Sequence, residues 1–539
     1  MEKIIVIGLD GATWDVLISM IKKNKLPTFK KLMENGAYGT LESIIPPFTV
    51  PSWLTFSSSK NPGRLGVYDF LIKGDDLTLK PIHSKYYRGH SVWDYLSNKG
   101  FKVGVVTFPT LYPPYEINGF MISGMGAFSE KITYPEELKE EIDKVSEGFE
   151  LVVNYHEPQY DDMELFLKDL NRLTDKQFKV VLHLLKRKDW NLFIYVNSAT
   201  DWIQHRMWKH IDKNHPQYDK RISPIYAKEF EKFFQKIDSF LEKVMDFDAN
   251  LLIISDHGFG PQDQSFNLLK WLEKKGYLIR KQNKLGLEIE IKTKIQQALA
   301  YINKLIKLPK YLPRKLIYRI KDALKVTANI ADTIDFDRSV AYCLEHSTAF
   351  GAIYINPNIN NTDKFKKIKK KITNDLKNLS YEVKKPLKIT IYEPKNIYIG
   401  DKVNLAPDII PIINDYRCII LQNYEKPLFE EKPYSNRHSG FHRLNGIIIA
   451  YGKDFKKSYK IENAKIYDIT STILHMFGLP IHNEMDGKVL MDILKPNSEP
   501  AKKKPTYVDP SYYEKSEEDK IKAKIKKLKL KEKIQKKAH

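Results

Sequence analysis

The chain has 539 residues, of which 42% are hydrophobic, and a net charge of +21 at pH 7. This length is too great for one small core, so we expect either one large domain with insertions or two domains and a tail. No stretch approaches 18 consecutive apolar residues, and a strand is predicted from about residue 3. The sequence therefore predicts neither a transmembrane segment nor a signal peptide, and hence a cytoplasmic protein.

The distribution of charge and the two cysteines indicate which partners and which kinds of site to expect. Residues 501–539 hold fourteen lysines against six acidic residues, so this segment alone contributes +8 with histidine neutral. Abundant Lys, Ile and Glu with few Cys is a thermophile-like composition, which accounts for much of the charge without an anionic partner. Cys343 and Cys418 form no CxxC pattern, so the sequence predicts buried thiols rather than disulfides or a thiolate metal site.

Short apolar runs alternate with helical patterns along the chain. Strands are predicted at 3–9, 101–107, 192–197, 250–255, 340–344, 351–355 and 446–451. Such alternation predicts an α/β fold with a doubly wound, mainly parallel sheet flanked by helices.

The segments between these strands suggest a division of the chain. The core is predicted in two parts, 1–266 and 335–495, the second ending in a helix that Gly478 closes. Residues 128–188 are predicted as a helical insertion or lid, and 267–334 as a second helical insertion whose basic part spans 291–328. Residues 496–539 are predicted as a Lys-rich tail, helical or disordered. A solvated tail and a tail that binds nucleic acid or an anionic membrane surface both stay open.

Two of the predicted strands end in acidic residues. Asp10 follows the first strand, and Asp256 with His257 follows the strand at 250–255. Because ligands of open α/β sheets bind at the carboxyl ends of the strands, we expect these side chains to share one site. Carboxylates beside an imidazole suit a divalent cation.

Three further segments carry polar groups in a similar setting. Thr49 lies in a proline-flanked segment before a predicted helix, where its hydroxyl is either an N-cap or a functional group. Asp201 and His205 follow the strand at 192–197, and their spacing of four puts them on one helical face, as chelation requires. His438 and His442 precede the strand at 446–451.

In this order the residues resemble the alkaline phosphatase superfamily and, within it, the type I phosphodiesterase/nucleotide pyrophosphatase family. Asn61-Pro62-Gly63 and Met485-Asp486-Gly487 fit the same pattern, and the resemblance covers roughly residues 1–495. His442 is preferred to His438 because it lies in the family-like Gly-Phe-His-Arg context, and His438 would orient it from outside. The residues that match the family's site are Asp10, Thr49, Asp201, His205, Asp256, His257 and His442.

The resemblance implies an alkaline-phosphatase-like fold with two divalent metal ions, zinc first and manganese or iron as alternatives. One ion would be held by Asp201, His205 and His442, and the other by Asp10, Asp256, His257 and the Thr49 hydroxyl. Thr49 would attack phosphorus and form a phosphothreonine that water hydrolyses. We therefore expect a metal-dependent phosphohydrolase whose substrate is a phosphodiester or a phosphomonoester.

Other functions stay open at this point. A phosphomutase or phosphotransferase would use the same site with an alcohol as the acceptor, and a non-catalytic protein that binds anions or nucleic acid would keep only the fold. Sulfatase chemistry is disfavoured because no Cys-x-Pro-x-Arg surrounds Thr49. Many relatives carry an asparagine twenty-one residues after the nucleophile that binds a phosphoryl oxygen, where this chain has Phe70. The sequence leaves that donor, the substrate and the oligomeric state open.

Overall fold

The structure is a computed structural model. It describes residues 2–74, 79–281, 291, 295, 330–344, 351–359, 361–423, 426–435 and 437–514. The predicted basic helical stretch at 291–328 and the tail beyond residue 514 lie, apart from residues 291 and 295, outside these ranges.

The centre of the fold is a nine-stranded, mainly parallel sheet. Its middle strands β9, β1, β8, β5 and β6 run parallel to one another, whereas β19 is antiparallel to both of its neighbours. In spatial order the strands are β20 (Tyr459–Lys465), β2 (Ala37–Glu42), β19 (Asn445–Tyr451), β9 (Asn250–Ile254), β1 (Ile4–Leu9), β8 (Leu192–Asn197), β5 (Val103–Phe108), β6 (Gly119–Ser123) and β7 (Thr133–Tyr134).

Hydrophobic cores lie on both faces of this sheet. Along β1, Ile5 and Ile7 pack into one core while Ile4 and Val6 pack into the other, because successive side chains of a strand point to opposite faces. The longer helices that cover the sheet are α1 (Trp14–Lys22), α2 (Pro27–Asn35), α3 (Thr49–Ser58), α5 (Val92–Asn98), α6 (Leu138–Ser146), α7 (Met163–Arg187), α8 (Ala199–Ile211), α9 (Ser223–Val244) and α15 (Asp468–Met476). The predicted doubly wound α/β fold is confirmed.

A second, five-stranded sheet lies beside the first. Its strands, in spatial order, are β14 (Ile389–Tyr392), β15 (Ile410–Ile413), β16 (Cys418–Leu421), β11 (Gln264–Asn267) and β17 (Phe429–Glu430). The helices α10 (Leu268–Lys274) and α12 (Thr362–Lys377) pack on it around their own hydrophobic core. The two cysteines are buried, as predicted, and Cys418 lies in β16.

Short elements complete the described fold. Two-stranded pairs form between β3 (Leu71–Lys73) and β4 (Leu79–Pro81), β10 (Gly258–Pro261) and β18 (Gly440–Arg443), β12 (Ala341–Tyr342) and β13 (Tyr354–Ile355), and β21 (Ile481–His482) and β22 (Tyr507–Val508). Short helices are α4 (Pro62–Leu65), α11 (Ile330–Thr333), α13 (Leu379–Val383), α14 (Pro394–Ile397) and α16 (Glu499–Lys502), with 3-10 turns at Ser84–Tyr86, Pro158–Asp161, Val403–Leu405, Met491–Ile493 and Pro510–Tyr513.

Three sequence predictions differ from the structure. The runs at 340–344 and 351–355 form the pair β12–β13 and an isolated bridge from Ile353 to Ile409 instead of joining the central sheet, because an apolar run does not specify which sheet it joins. Residues 128–188 are not purely helical, since they contain the edge strand β7, and α7 packs directly into the core. The predicted tail starts too early: β22 pairs with β21, and Tyr513 is 3% exposed. The domain boundaries themselves stay a proposal.

Among the described residues, no helix is both long enough and apolar enough to span a bilayer.

Candidate metal centre

Asp10 and the Asp256-His257 pair lie at the same edge of the central sheet. Asp10 directly follows β1, and the pair comes just after the neighbouring strand β9, whose register places Ile254 beside Gly8. The N–H of Gly11 donates to Oδ1 of Asp256 at 3.2 Å, which fixes that carboxylate. All three side chains are buried. The parallel pairing of two strands thus brings together residues about 245 positions apart in the sequence.

Thr49 reaches this edge from the start of a helix. It is the first residue of α3, and its Oγ1 lies 3.2 Å from Nε2 of His257. The N-cap residue of α3 is Phe48, and no side chain makes a capping hydrogen bond there. The N-cap interpretation of Thr49 is therefore wrong, and its hydroxyl faces the acidic edge instead.

Asp201, His205 and His442 form a second group beside the first. Asp201 and His205 share one face of α8, with Nε2 of His205 3.4 Å from Oδ1 of Asp201. His442 comes from β18 and places its Nε2 3.3 Å from the same oxygen and 3.2 Å from Nε2 of His205. We name Asp201, His205 and His442 cluster A, and Asp10, Thr49, Asp256 and His257 cluster B.

The spacing of these donor atoms matches a metal coordination shell. In cluster B, Nε2 of His257 lies 3.5 Å from Asp10 and 3.3 Å from Asp256. Bonds of about 2.0–2.2 Å in a tetrahedral zinc site separate neighbouring ligand atoms by about 3.3–3.6 Å. The clusters adjoin, since the stacked rings of His257 and His442 have centroids 3.7 Å apart. In each of two groups of three residues, all donor atoms lie within 4.8 Å of one another. Asp201, His257 and His442 form the first group, and Asp10, Asp256 and His257 form the second.

Each histidine of the two clusters uses its other ring nitrogen on the backbone. Nδ1 of His205 bonds the Gly440 carbonyl at 2.8 Å, and Nδ1 of His442 bonds that of Pro47 at 2.9 Å. Nδ1 of His257 bonds the carbonyl of Gly258 at 3.0 Å. Because a carbonyl only accepts, each Nδ1 carries the proton, and each Nε2 presents its lone pair to the cluster. Metal-binding histidines show this pattern.

The carboxylate oxygens that face these lone pairs have no donor. Oδ1 of Asp10, Oδ1 of Asp201 and Oδ2 of Asp256 are buried and accept no hydrogen bond within the described residues. A buried polar atom without a partner is costly, and a buried carboxylate more so. A divalent cation would satisfy all three oxygens together with the histidine lone pairs, so the residues present fit a two-metal centre.

The electrostatics of the protein without metal lead to the same conclusion. Burial, together with the neighbouring carboxylates, raises the pKa of Asp10 well above its ordinary value, and burial does the same for the pKa of Asp256. Burial alone would raise the pKa of Asp201, but contacts with His205 and His442 outweigh it and hold that pKa well below the ordinary value. The two carboxylates of cluster B are thus difficult to ionise together, and a bound cation would favour their ionised forms.

The two late histidines differ in their contacts. Both ring nitrogens of His438 have partners away from the clusters, Nε2 with the Tyr434 hydroxyl at 2.9 Å and Nδ1 with the Ser435 hydroxyl at 2.9 Å. Its ring lies 5.2 Å from that of His205. The geometry favours His442 as a ligand, and it places His438 beside cluster A.

An open cavity of about 470 Å³ gives access to the clusters. Asp10, Thr49, Asp201, His205 and His442 line it, together with side chains outside the clusters that include Phe70, Val152, Tyr155 and Phe441. Sequence reasoning missed Tyr155 and Phe441, because neither lies at the end of an apolar strand. Phe70 lines the cavity as a hydrophobic side chain, so it supplies no donor to a phosphoryl oxygen.

Comparison with known proteins bears on this site. The sequence model of the type I phosphodiesterase/nucleotide pyrophosphatase family matches residues 4–442. No curated protein matches the chain significantly.

Solved structures also resemble the chain, at low sequence identity. Phosphonoacetate hydrolase from Sinorhizobium meliloti 1021, in complex with phosphonoformate, is 13% identical, with a TM-score of 0.50 and coverage of 87% of this chain and 94% of that one. Murine ectonucleotide pyrophosphatase/phosphodiesterase 5 is 14% identical with a TM-score of 0.47, and the human protein is 15% identical with a TM-score of 0.46. Both cover 92% of this chain over their full length. At such identities the first likeness shows a common fold alone.

Proposed function

This chain belongs to the type I phosphodiesterase/nucleotide pyrophosphatase family of the alkaline phosphatase superfamily, and on that premise we propose that it hydrolyses a phosphodiester or phosphomonoester through a phosphothreonine at Thr49. The observation that carries the proposal is the position of the Thr49 hydroxyl. It lies 3.2 Å from His257, within a buried set of carboxylates and histidines, and Thr49 lines an open cavity.

Clusters A and B would each hold one divalent ion. The mixture of imidazole and carboxylate ligands suits zinc, and manganese or iron would fit the same donors. When bound, the two ions would favour the alkoxide form of the Thr49 hydroxyl and neutralise charge on the phosphoryl oxygens. Both effects are needed, since a threonine hydroxyl is a weak nucleophile at neutral pH.

The chain's own residues define the order of bond changes. Oγ1 of Thr49 forms a bond to phosphorus while the bond from phosphorus to the leaving oxygen breaks, and the leaving group departs with that electron pair and takes up a proton. Water then attacks phosphorus and releases Thr49, which recovers its proton. Each step inverts the configuration at phosphorus, so the net outcome is retention.

The first turn of α3 supplies a group that the sequence left open. The first N–H groups of a helix have no intrahelical acceptor, and its N-terminus attracts anions. Thr49 is the first residue of α3, so the N–H groups of Thr49 and Val50 lie beside the nucleophile. We assign to them the stabilisation of the phosphoryl oxygen that an asparagine provides in relatives.

Substitution of the nucleophile tests the proposal. With bis-p-nitrophenyl phosphate or p-nitrophenyl phosphate and added Zn²⁺ or Mn²⁺, Thr49→Ala is expected to lower kcat by at least about 10³-fold, because no other hydroxyl takes its place. Thr49→Ser keeps a hydroxyl and should retain part of the activity. The matched control is Thr55→Ala in the same helix, where the hydroxyl is buried without a hydrogen-bond partner in the described residues.

Rapid acid quenching with a ³²P-labelled ester should trap labelled protein in wild type but not in Thr49→Ala. Adding an alcohol acceptor distinguishes a hydrolase, which releases phosphate or a monoester, from a transferase, which labels the alcohol. Equal turnover by Thr49→Ala and wild type would contradict the proposal.

A further inference from the structure

Part of the wall of the catalytic cavity is apolar. Phe70, Met125, Val152 and Phe441 contribute to it from four separate parts of the chain, next to the polar side chains of Asn154 and His156. The Phe441 ring stacks on that of His442 at 4.5 Å, whereas Val152 is 46% exposed. An exposed apolar surface that encloses a cavity is typical of a ligand-binding site.

The described residues that line the cavity include no lysine and no arginine. His156 is also uncharged at pH 7, because burial lowers its pKa to about 4. Within the described part of the cavity, the bound ions of the two clusters and the N-terminus of α3 would therefore be what attracts an anionic substrate.

Two arginines lie in neighbouring segments but are not among the residues that line the cavity. Arg437 donates from Nε to Asp161 at 2.8 Å and from Nη1 to the His156 carbonyl. Arg206 lies with its guanidinium 5.2 Å from the Phe166 ring and donates from Nη2 to the Tyr160 carbonyl, while its Nε and Nη1 have no hydrogen-bond partner within the described residues. Both arginines therefore bond the backbone of the segment that follows Val152 and Tyr155.

These observations limit the charge that a substrate can carry. Two divalent ions held by three carboxylates leave one net positive charge, which matches the single negative charge of a phosphodiester, whereas a second phosphate would find no counter-charge among the described residues that line the cavity. Burying an unpaired anion costs far more than an apolar contact returns.

Resting on the proposed function, we infer that the substrate is a phosphodiester with a single phosphate, one of whose ester groups is an uncharged aryl or alkyl group that packs against Phe70 and Val152. Esters that carry further anionic groups, such as nucleoside polyphosphates, are poor substrates. Val152 and Phe70 act as specificity-determining residues for the ester group.

A series of diesters with one leaving group isolates this effect. Methyl, butyl and phenyl p-nitrophenyl phosphates differ only in the second ester group, and 2-carboxyethyl p-nitrophenyl phosphate adds one negative charge. For wild type we expect kcat/KM to rise from methyl to phenyl by about 10- to 200-fold, the range for burying one apolar group. The carboxyethyl ester should be the slowest of the four.

Two substitutions at the exposed Val152 test the residue without disturbing a packed core. Val152→Thr exchanges a methyl for a hydroxyl at nearly constant volume and should lower the phenyl-to-methyl ratio of kcat/KM several-fold. Val152→Lys adds a cation and should raise kcat/KM for the carboxyethyl ester while lowering it for the phenyl ester. The control is Ile225→Thr on α9, where the isoleucine is 62% exposed and does not line the cavity.

The outcomes separate the two proposals. A flat series, or a preference for the anionic ester, with Thr49-dependent turnover overturns this inference and leaves the proposed function standing. Unchanged ratios in both Val152 variants do the same. Absence of turnover with every ester, with Zn²⁺ or Mn²⁺ present, overturns both.

Discussion

Each histidine of clusters A and B donates one ring N–H to a backbone carbonyl. This hydrogen bond fixes the orientation of the ring as well as its tautomer. The carbonyls belong to Pro47, Gly258 and Gly440, which lie in segments that pack around the sheet edge. The ring orientation is therefore set by the fold before any ion arrives. A preformed set of lone pairs lowers the cost of ordering the ligands when a metal binds.

The difference between His442 and His438 can be measured. We expect His442→Ala to reduce the bound metal from two ions per chain to one, because it removes a donor of cluster A. His438→Ala should keep both ions, with affinity weakened by no more than about 10- to 100-fold, the range for residues that only orient a ligand. Metal content after dialysis and titration against a chelator give both quantities. Equal metal loss in the two variants would contradict the assignment of His442.

The sequence was sufficient to predict where the seven candidate residues converge, though their roles stay a proposal. Each of Asp10, Asp256 and His257 follows a run that is buried on both faces, and such runs end at a common edge when the strands are parallel. Tyr155 could not be predicted in the same way. It lies in an irregular segment without periodicity, and only tertiary packing brings its ring 5.8 Å from that of His205.

At the scale of elements, burial and hydrogen bonding have opposite effects on the pKa of a carboxylate at the start of helix α5. Asp94 closes the capping box at the start of α5 and accepts hydrogen bonds from the N–H of Gly89 and Ser91 and from the Tyr115 hydroxyl. Burial nevertheless raises the pKa of Asp94 from 3.8 to about 7, against those donors.

This pKa predicts a stability change with pH. Because the folded-state pKa lies above the unfolded one, the protonated carboxyl contributes stability that is fully present below about pH 4 and is lost as pH rises through 7. Between pH 5 and 8, wild type should lose about 3 kcal/mol of unfolding free energy relative to Asp94→Asn. Denaturant titrations of both proteins at the two pH values measure this difference. A difference that is the same at pH 5 and pH 8 would contradict it.

Two of the elements that the sequence missed face water on one side. β2 alternates between buried and exposed positions, and β20 is an edge strand with mostly polar residues. Neither has the continuous apolar run that marks a central parallel strand. β1, β5, β8, β9 and β19 have such runs and were predicted within about two residues, whereas β6, β15 and β16 were missed although they are buried too.

At the scale of the whole molecule, the candidate metal centre joins segments that are far apart in the chain. Asp10, Thr49, α8, β9 and β18 meet at it. An ion bound there to the folded state alone would therefore stabilise the main sheet as a unit. At 1,000 times its dissociation constant, each ion contributes about 4 kcal/mol.

Removal of metal should accordingly lower the melting temperature. Chelation with EDTA is expected to lower the Tm of wild type by several degrees, and Zn²⁺ or Mn²⁺ should restore it. Asp10→Asn should show a smaller metal-dependent shift but a higher Tm than wild type in EDTA, since it removes a carboxyl whose ionisation burial and the neighbouring Asp256 and Asp201 oppose. The exposed Asp15→Asn in α1 is the control. A metal-independent Tm in wild type would contradict the two-metal proposal.

The place of β1 in the sheet has a consequence for how the chain is made. β1 precedes both of its neighbours, β8 and β9, in the chain, so Ile4 is synthesised before Leu192 and Asn250. At about 5–20 residues per second, the nearer partner emerges from the ribosome about 10–40 s later. During that time an apolar strand without its neighbours is open to aggregation. The helices α1 and α2, which follow β1 directly in the chain, are the elements available to shield it until β8 emerges.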